Sequence, residues 1–269
     1  MVSPQLFSRQ DWITACHFHD LTEREILTEV AKRVRDVKSR AKNQQAHPLV
    51  LLDLDGTLYE VGPRTFFILR EWGQSPESAR FPQFRDAIEK MHESQIGYSI
   101  RDTFAALSFR EAVDAQDVHA AFQSAKDFWT SRFFSSRYLA YDRAYAGAAQ
   151  FTRNLHDLGA QIVYLTGRDE PDMGDGTRAN LIRDGFPWNA ERTHLLMKPA
   201  REVPDLQFKR SACDYLREHG TLIASFENEP PNVVAFQEIF PSAMHVFVDT
   251  YCSDHPAAAV QGLYRIKGF

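Results

Sequence analysis

A short apolar run that stops abruptly at two carboxylates most constrains what this chain can fold into. The stretch reads Leu51-Leu52-Asp53-Leu54-Asp55-Gly56-Thr57-Leu58. An apolar run of this length, bounded by turn residues, is typical of a buried strand. Asp53 and Asp55 are two positions apart, so in an extended chain their side chains share one face. Gly56 then permits a tight turn directly after the strand.

The two neighbouring carboxylates predict a bound cation. Like charges this close are unfavourable unless a cation or a proton compensates them. Open α/β sheets bind ligands at the C-terminal ends of their strands, which is where this interpretation places Asp53 and Asp55. The alternative is a strand that ends in an ordinary acidic turn, because Asp-Gly alone is common turn chemistry. The complete pattern favours a Mg²⁺ site.

Apolar strands alternate with helices further along the chain. Strands are predicted at 161–166, 193–197, 221–226 and 244–248, and helices at 145–158, 177–184, 208–219 and 233–240, with a flexible loop at 174–176. This alternation predicts the α/β class, a Rossmann-like parallel sheet with helices on both faces. Right-handed crossovers then bring the C-terminal strand ends to one edge, which carries Asp53, Asp55, Thr166 and Glu227. Residues 1–20 and those after 251 show no pattern that assigns an element.

The remaining segments predict two helical additions to this sheet. Residues 1–46 form an N-terminal helical extension, in which a capping box at Thr22–Glu25 begins an amphipathic helix that ends near Arg40. We expect this helix to pack on the core, and a partner surface is the alternative. Residues 63–141 show helical periods throughout and predict an all-helical cap, well placed as a lid over the site. Residues 47–62 and 142–269 form the α/β core.

Composition limits the setting and the partners. The chain has 269 residues and a net charge of −5, which argues against a general nucleic-acid-binding surface. Cys16, Cys213 and Cys252 are too widely spaced to indicate disulfides or a zinc site. The sequence shows neither an apolar signal core nor a stretch long enough to span a bilayer. We therefore expect a cytoplasmic protein without a membrane partner, and the sequence leaves its oligomeric state undetermined.

The order of the strand-end motifs resembles a known superfamily. The Asp53 turn is followed by Thr166-Gly167-Arg168, then by a lysine, and then by Glu227-Asn228-Glu229. Over roughly residues 48–250 this order resembles the haloacid dehalogenase-like phosphohydrolases with a helical cap. The turn at Thr166 is also weakly similar to the phosphatase domains of polynucleotide kinase type.

The resemblance implies a Mg²⁺-dependent phosphatase that acts on phosphate monoesters through an aspartyl-phosphate. Asp53 would be the nucleophile and Asp55 the general acid and base. Mg²⁺ would be held by an Asp53 oxygen, the Asp55 carbonyl oxygen and an acidic side chain, for which we favour Glu227 over Glu229. Dehalogenase members of the superfamily lack the second aspartate, so Asp55 argues for phosphate chemistry.

Two roles at the phosphate stay open in the sequence. The Thr166 hydroxyl, with backbone N–H groups of the turn at Gly167, would bind phosphate oxygens. A lysine must offset the negative charge, and both Lys198 and Lys209 are candidates; the separation of Lys209 from the fourth motif favours it. Arg168 either contacts the substrate phosphate or pairs with Asp169. In the cap, Arg64, Tyr98 and Arg101 are candidates for substrate selection.

Three functions are compatible with these motifs. The first is hydrolysis of a small phosphorylated substrate, with a nucleic-acid 3′ end as the alternative substrate. The second is a phosphotransferase or phosphomutase, which would pass the same phosphoryl group to an acceptor hydroxyl. The third is a non-catalytic binding module on this scaffold, suggested by the unusual Glu-Asn-Glu motif. Phosphate release, product isomerisation and the absence of turnover distinguish the three.

Overall fold

The framework of the protein is a seven-stranded sheet within residues 5–40, 47–107 and 114–269, which this computed structural model describes. The strands are β1 (Leu6–Phe7), β2 (His17–Phe18), β3 (Pro48–Leu52), β4 (Tyr59–Glu60), β5 (Arg143–Ala144), β6 (Gln161–Asp169), β7 (Thr193–Lys198), β8 (Thr221–Glu227), β9 (Met244–Val248), β10 (Ala257–Ala258) and β11 (Gln261–Ile266). The helices are α1 (Arg9–Ala15), α2 (Glu23–Arg40), α3 (Gly62–Gln74), α4 (Pro82–Lys90), α5 (Ile100–Ala105), α6 (Ala115–Phe133), α7 (Ser136–Leu139), α8 (Ala148–Asp157), α9 (Glu170–Arg183), α10 (Asp205–His219) and α11 (Pro230–Ile239). None of these helices is both long and apolar enough to cross a membrane.

The pairings of the described strands in this sheet are parallel, in the order β2-β11-β9-β8-β3-β6-β7. β3 therefore lies between β6 and β8. Its last residue, Leu52, is opposite Tyr164 of β6 and Phe226 of β8. Because the strands run in one direction, the residues that follow these three become neighbours at one edge. The predicted α/β class, a parallel sheet with helices on both faces, is confirmed.

Helices cover both faces of the sheet because the side chains of a strand alternate between the faces. Leu49 and Leu51 of β3 lie in a cluster with residues of α10 and α11, among them Phe236. α2 contacts β3, β8 and β11, and α8 contacts α2 and β6. α2 buries one face of its own, at Ile26, Val30 and Val34. The N-terminal helix thus packs on the sheet, which is the first of the two arrangements that its sequence suggested.

Contacts divide the chain into two units. One comprises Met1–Tyr59, Ala144–Pro171 and Leu181–Phe269 and contains the parallel sheet, and the other comprises Glu60–Arg143 and Asp172–Asn180. In the second unit α3 to α7 enclose an aromatic core, to which Trp72, Phe84 and Phe104 contribute. The helical cap predicted at 63–141 falls within the first segment of this second unit.

The predicted loop at 174–176 is wrong, because these residues lie inside α9. The Gly176 N–H donates to Ser136 Oγ at 3.0 Å, and a Cβ at Gly176 would lie only 2.5 Å from the Ser136 carbonyl oxygen. The glycine therefore serves a close approach of two backbones rather than flexibility.

The two ends of the chain, unassigned in the sequence, pair with each other. β1 pairs antiparallel with β10, β2 pairs with β11, and β11 in turn extends the main sheet beside β9. The pairings of β1 with β10 and of β2 with β11 join residues that are far apart in sequence, so no local pattern indicates them. The end of the predicted N-terminal extension, residues 41–46, lies outside the described residues.

Candidate active site

Strand register brings three of the predicted site residues to one edge of the sheet. Asp53 follows Leu52, Glu227 is the last residue of β8, and Thr166 lies near the end of β6. The Asp53 N–H continues the β3–β8 ladder by donating to Phe226 O at 3.1 Å. Asp53 and Glu227 are consequently side by side, and both side chains are almost fully buried.

A buried lysine from α10 bridges the two carboxylates. Lys209 Nζ donates to Asp53 Oδ1 and to Glu227 Oε2, each at 2.7 Å. The other oxygen of Glu227 accepts the N–H groups of Asn228 and Glu229, at 3.1 and 3.0 Å. The Glu227 carboxylate is thus held in one orientation by the turn that follows its own strand.

The charges in this triad shift one another's protonation. Burial raises the pKa of Asp53 above its usual range, and the Glu227 charge raises it further against the opposing effect of Lys209. Burial likewise raises the pKa of Glu227. Burial lowers the pKa of Lys209, but the Asp53 and Glu227 charges outweigh that effect and leave it above the usual range. Two buried carboxylates share one ammonium, so the triad has an excess of negative charge.

Asp55, the second carboxylate of the motif, has a different environment from Asp53. Its side chain is 32% exposed and accepts hydrogen bonds at Oδ1 from Arg168 Nε, at 2.9 Å, and from Arg168 Nη2. The Arg168 guanidinium also lies over the Tyr59 ring, 5.6 Å from its centroid, and its backbone N–H donates to Thr166 Oγ1 at 3.2 Å. The structure therefore gives Arg168 a partner, Asp55, that neither sequence alternative named.

The turn that leads from Asp53 and Asp55 to β4 requires a glycine at position 56. Gly56 has φ +78°, and a Cβ there would lie 2.1 Å from Asn228 Nδ2. Thr57 Oγ1 donates to Asp53 Oδ2 at 3.1 Å, with Asn228 Oδ1 as a second acceptor at 3.3 Å. Thr57 thus supports the Asp53 carboxylate, and Asn228 contacts Thr57 and packs on the Gly56 turn. The sequence analysis assigned neither role, although both residues belong to its motifs.

The structure separates the two lysines. Lys198 Nζ donates to Asp205 Oδ1 at 2.8 Å and to Arg201 O at 3.0 Å, at the start of α10. The Asp205 carboxylate packs on Gly167, where a Cβ would come within 2.2 Å of it. Lys198 therefore joins the β7–α10 connection to the Thr166-Gly167 turn, whereas Lys209 reaches Asp53.

The two candidate acidic ligands, Glu227 and Glu229, also have different partners. Glu227 shares Lys209 with Asp53, whereas the Glu229 carboxylate accepts the Ser253 N–H at 2.9 Å and the Ser253 hydroxyl. Glu229 is thus engaged by the loop that follows β9.

The donor atoms beside Asp53 fit Mg²⁺ in type and charge. Asp53 and Glu227 offer oxygens close enough to share one cation, since both contact Lys209 Nζ. Across residues 5–40, 47–107 and 114–269, no group of three or more His, Cys, Asp or Glu side chains is arranged to hold a metal ion. Carboxylate oxygens suit Mg²⁺, which usually keeps water and substrate phosphate among its ligands.

Comparison with solved structures finds chains of low sequence identity that are similar to this one. Among solved structures, the chain is similar to a provisionally assigned phosphatase from Clostridium difficile, with 13% identity over 82% of this chain and 96% of that chain, and a TM-score of 0.48. It is similar to a HAD-superfamily hydrolase from Geobacter sulfurreducens, with 11% identity over 84% and 95% of the two chains and a TM-score of 0.44. A haloacid dehalogenase-like hydrolase from Streptococcus pneumoniae gives 11% identity over 75% and 84% and a TM-score of 0.42. Similarity at this level does not identify a substrate.

The family is shown by sequence. No curated protein matches the chain. The family model described as a hydrolase, haloacid dehalogenase-like hydrolase, matches residues 47–216, which is more than half of the chain and includes Asp53, Thr166 and Lys209. This protein belongs to the haloacid dehalogenase-like hydrolases.

Proposed function

We propose that this hydrolase cleaves phosphate monoesters through an aspartyl-phosphate on Asp53. The observation that carries the proposal is the contrast between two carboxylates only two positions apart. Asp53 is buried and bonded to Lys209, whereas Asp55 is partly exposed and bonded to Arg168. Different environments give neighbouring carboxylates different acid–base roles. Asp53, buried and held by Lys209, is positioned to attack phosphorus, and Asp55, partly exposed, is accessible to the leaving group and to water.

The first step forms a bond between an Asp53 carboxylate oxygen and phosphorus, and breaks the bond from phosphorus to the leaving oxygen. Asp55 gives its proton to that oxygen, so an alcohol leaves. Lys209 offsets the negative charge that Asp53 and the phosphoryl group bring together. The Thr166 hydroxyl accepts the Arg168 N–H and keeps its own hydrogen to donate to a phosphate oxygen.

The second step returns the enzyme to its starting state. Asp55, now ionised, takes a proton from water, and the water oxygen attacks phosphorus and displaces the Asp53 carboxylate. Arg168 holds the Asp55 carboxylate in place for both transfers. Mg²⁺, held by Asp53, Glu227 and the Asp55 carbonyl oxygen, would neutralise phosphate oxygens when bound. Dehalogenation hydrolyses its ester intermediate without a second aspartate. The presence of Asp55 therefore supports phosphate as the substrate group.

The test is a panel of phosphate esters assayed with Mg²⁺ and with EDTA. The panel contains an aryl phosphate, phosphorylated sugars, nucleotides and a 3′-phosphorylated oligonucleotide. We expect Mg²⁺-dependent release of phosphate, and a loss of about a thousandfold or more in Asp53→Asn. Phosphate release by the Asp53→Asn variant at the wild-type rate would refute the role of Asp53.

The same panel tests the two alternative functions. Isomerised or transferred product without phosphate release would indicate a phosphomutase or phosphotransferase. Absence of turnover on every member, in a protein that still binds phosphate esters, would indicate a binding module. Cleavage confined to the oligonucleotide would favour the nucleic-acid 3′ end over a small substrate.

A further inference from the structure

The N-terminal segment, residues 5–19, is built into the sheet although it lies outside the family-matched residues. β1 and β2 pair with β10 and β11, and Trp12 between them is fully buried. Trp12 Nε1 donates to Ala258 O at 2.9 Å, and the Trp12 ring meets Phe247 edge to face, with centroids 5.1 Å apart. These contacts fix α1 against the strand that ends at Val248.

α1 holds the loop that follows β9 through Arg9. Arg9 Nη2 donates to Asp249 Oδ1 at 2.7 Å and to Thr250 O. Asp249 also accepts from Arg265 of β11, whose Nε lies 2.9 Å from Oδ2. The Asp249 side chain is only 8% exposed, and a buried carboxylate is unfavourable without a paired cation. One guanidinium nitrogen of Arg9 thus ties both a side chain and a carbonyl of this loop.

The same loop supports the Gly56 turn from the opposite side. The Thr250 hydroxyl donates to Gly56 O, and Asn228 Nδ2 donates to Tyr251 O at 2.8 Å. Gly56 packs so closely on Asn228 and Tyr251 that any side chain there would collide with them. The turn that carries Asp55 therefore rests on Thr250, and Thr250 is held by Arg9.

We infer that Arg9 is a positioning residue for the reaction, acting through Thr250 on the turn that carries Asp55. This inference rests on the proposed phosphatase activity for its kinetic test. Arg9 does not touch the reacting atoms; it restricts the backbone from which Asp55 projects. Small displacements of positioned groups reduce turnover more than they reduce binding, because the reacting atoms must meet within a narrow geometry. The N-terminal segment is accordingly part of the catalytic framework.

The test compares Arg9→Met, Arg9→Lys and Thr250→Val in the full chain. We expect Arg9→Met to lower kcat about tenfold with little change in KM, since the substrate-binding groups stay in place. Arg9→Lys should stay within about threefold of wild type, because it keeps a positive charge and three N–H donors beside Asp249 and Thr250. Thr250→Val should lower kcat as Arg9→Met does, and the double variant should show no further loss, because both changes break one linkage.

The matched control is Arg265→Met. It removes an ion pair to the same carboxylate, Asp249, but leaves the bond from Arg9 to Thr250 intact. We expect it to lower the free energy of unfolding while kcat per folded molecule stays within about twofold of wild type. Unchanged kcat in Arg9→Met, or effects of Arg9→Met and Thr250→Val that multiply in the double variant, would overturn the inference.

Amide hydrogen exchange separates this inference from the proposed function. Peptides that cover residues 53–59 should exchange faster in Arg9→Met and in Thr250→Val than in wild type or in Arg265→Met. If wild type hydrolyses no phosphate ester, the proposed function fails while this exchange result still supports the linkage. Equal exchange in wild type and Arg9→Met would overturn the linkage whatever the activity.

Discussion

Each of the two units contains a fully buried ion cluster, and the two clusters differ in charge balance. In the helical unit Arg64 forms a bidentate pair with Asp142, with Nε to Oδ1 at 2.8 Å and Nη2 to Oδ2 at 2.6 Å. Both side chains are 0% exposed. The Arg64 guanidinium also lies over the Phe133 ring at 4.3 Å and donates to the Phe133 carbonyl at 3.2 Å. This pair matches one cation with one anion.

The cluster beside the sheet matches one cation with two anions. Lys209 bonds to both Asp53 and Glu227, and the pKa of each carboxyl is raised because the site is buried and negatively charged. A buried ion pair with no net charge mainly stabilises the fold. A buried cluster with a net negative charge is electrostatically unfavourable, and binding of a substrate or a cation can compensate that charge. The comparison teaches that charge excess, rather than burial alone, distinguishes the candidate site from the Arg64–Asp142 pair.

The largest expected effect is in the balanced pair. Arg64→Met should lower the free energy of unfolding by about 3–5 kcal/mol, because it leaves the Asp142 charge buried without its cation. Chemical denaturation followed by circular dichroism measures this loss. The double variant Arg64→Met/Asp142→Leu should recover most of it, since an apolar pair of similar size needs no compensation. A loss below about 1 kcal/mol in Arg64→Met would mean that water reaches Asp142.

In the presence of EDTA, Lys209→Met should lower the free energy of unfolding by about 3 kcal/mol at pH 8 and by clearly less at pH 5. The folded pKa values of Asp53 and Glu227 lie above their unfolded values, so protons stabilise these carboxyls in the folded state. That stabilisation is complete below the unfolded pKa values and is lost as pH rises through the folded ones. Unfolding curves of wild type and Lys209→Met between pH 5 and pH 8 measure the difference in free energy of unfolding between the two proteins. A difference that does not change with pH would show that the two carboxylates do not take up protons in place of Lys209.

Asp53→Asn should leave the free energy of unfolding within about 1 kcal/mol of wild type, or raise it, because Lys209 and Glu227 then form a balanced pair. Asp142→Asn is the matched change in the other cluster and should cost about 3 kcal/mol, because it leaves the Arg64 charge buried. Thermal and chemical unfolding of the two variants in parallel make the comparison. Equal losses in the two would remove the distinction drawn here between the clusters.

The smallest effect concerns a buried neutral group. His245 accepts the Ser225 hydroxyl at Nδ1 (2.8 Å) and donates from Nε2 to Phe240 O (2.9 Å), and burial lowers its pKa. A lowered folded pKa means that stability is present above the unfolded value and is lost as pH falls through it. Between pH 7.5 and 5.5, wild type should lose up to about 1 kcal/mol more than His245→Gln. The pH dependence that His245 contributes is opposite in sign to that of the Asp53 cluster. Equal slopes of the free energy of unfolding against pH in wild type and His245→Gln would contradict this prediction.

Sequence reasoning predicted the features that repeat locally. The strand ending at Leu52, the helix–strand alternation and the family follow from periodicity and from motif order, and the fold class is confirmed. The helix predicted at 177–184 is the second half of α9, and its first half was missed because Gly174 and Gly176 suggest a loop, whereas packing on Ser136 overrides their weak helix propensity. β11 was missed because its burial does not alternate along the strand.

The contacts of the candidate site were less accessible from sequence. The pair between Asp55 and Arg168 joins positions 113 apart, and nothing near either residue indicates the other. Spacing favoured Lys209 over Lys198, but it could not predict that Lys209 bridges Asp53 and Glu227 while Lys198, at the end of β7, pairs with Asp205. The sequence made Arg64 a candidate for substrate selection, yet its side chain is completely buried against Asp142. Such partners depend on tertiary packing rather than on local pattern.

The pairing of β1 and β2 with β10 and β11 has a consequence for how the protein is made. Arg9 and Asp249 are 240 positions apart. A ribosome that adds about 5–20 residues per second needs roughly 10 to 50 s to produce that stretch. During this interval Trp12 leaves the exit tunnel without its partners, and the Asp55 turn lacks its support. The N-terminal segment therefore reaches its paired conformation only after β10 and β11 have been synthesised.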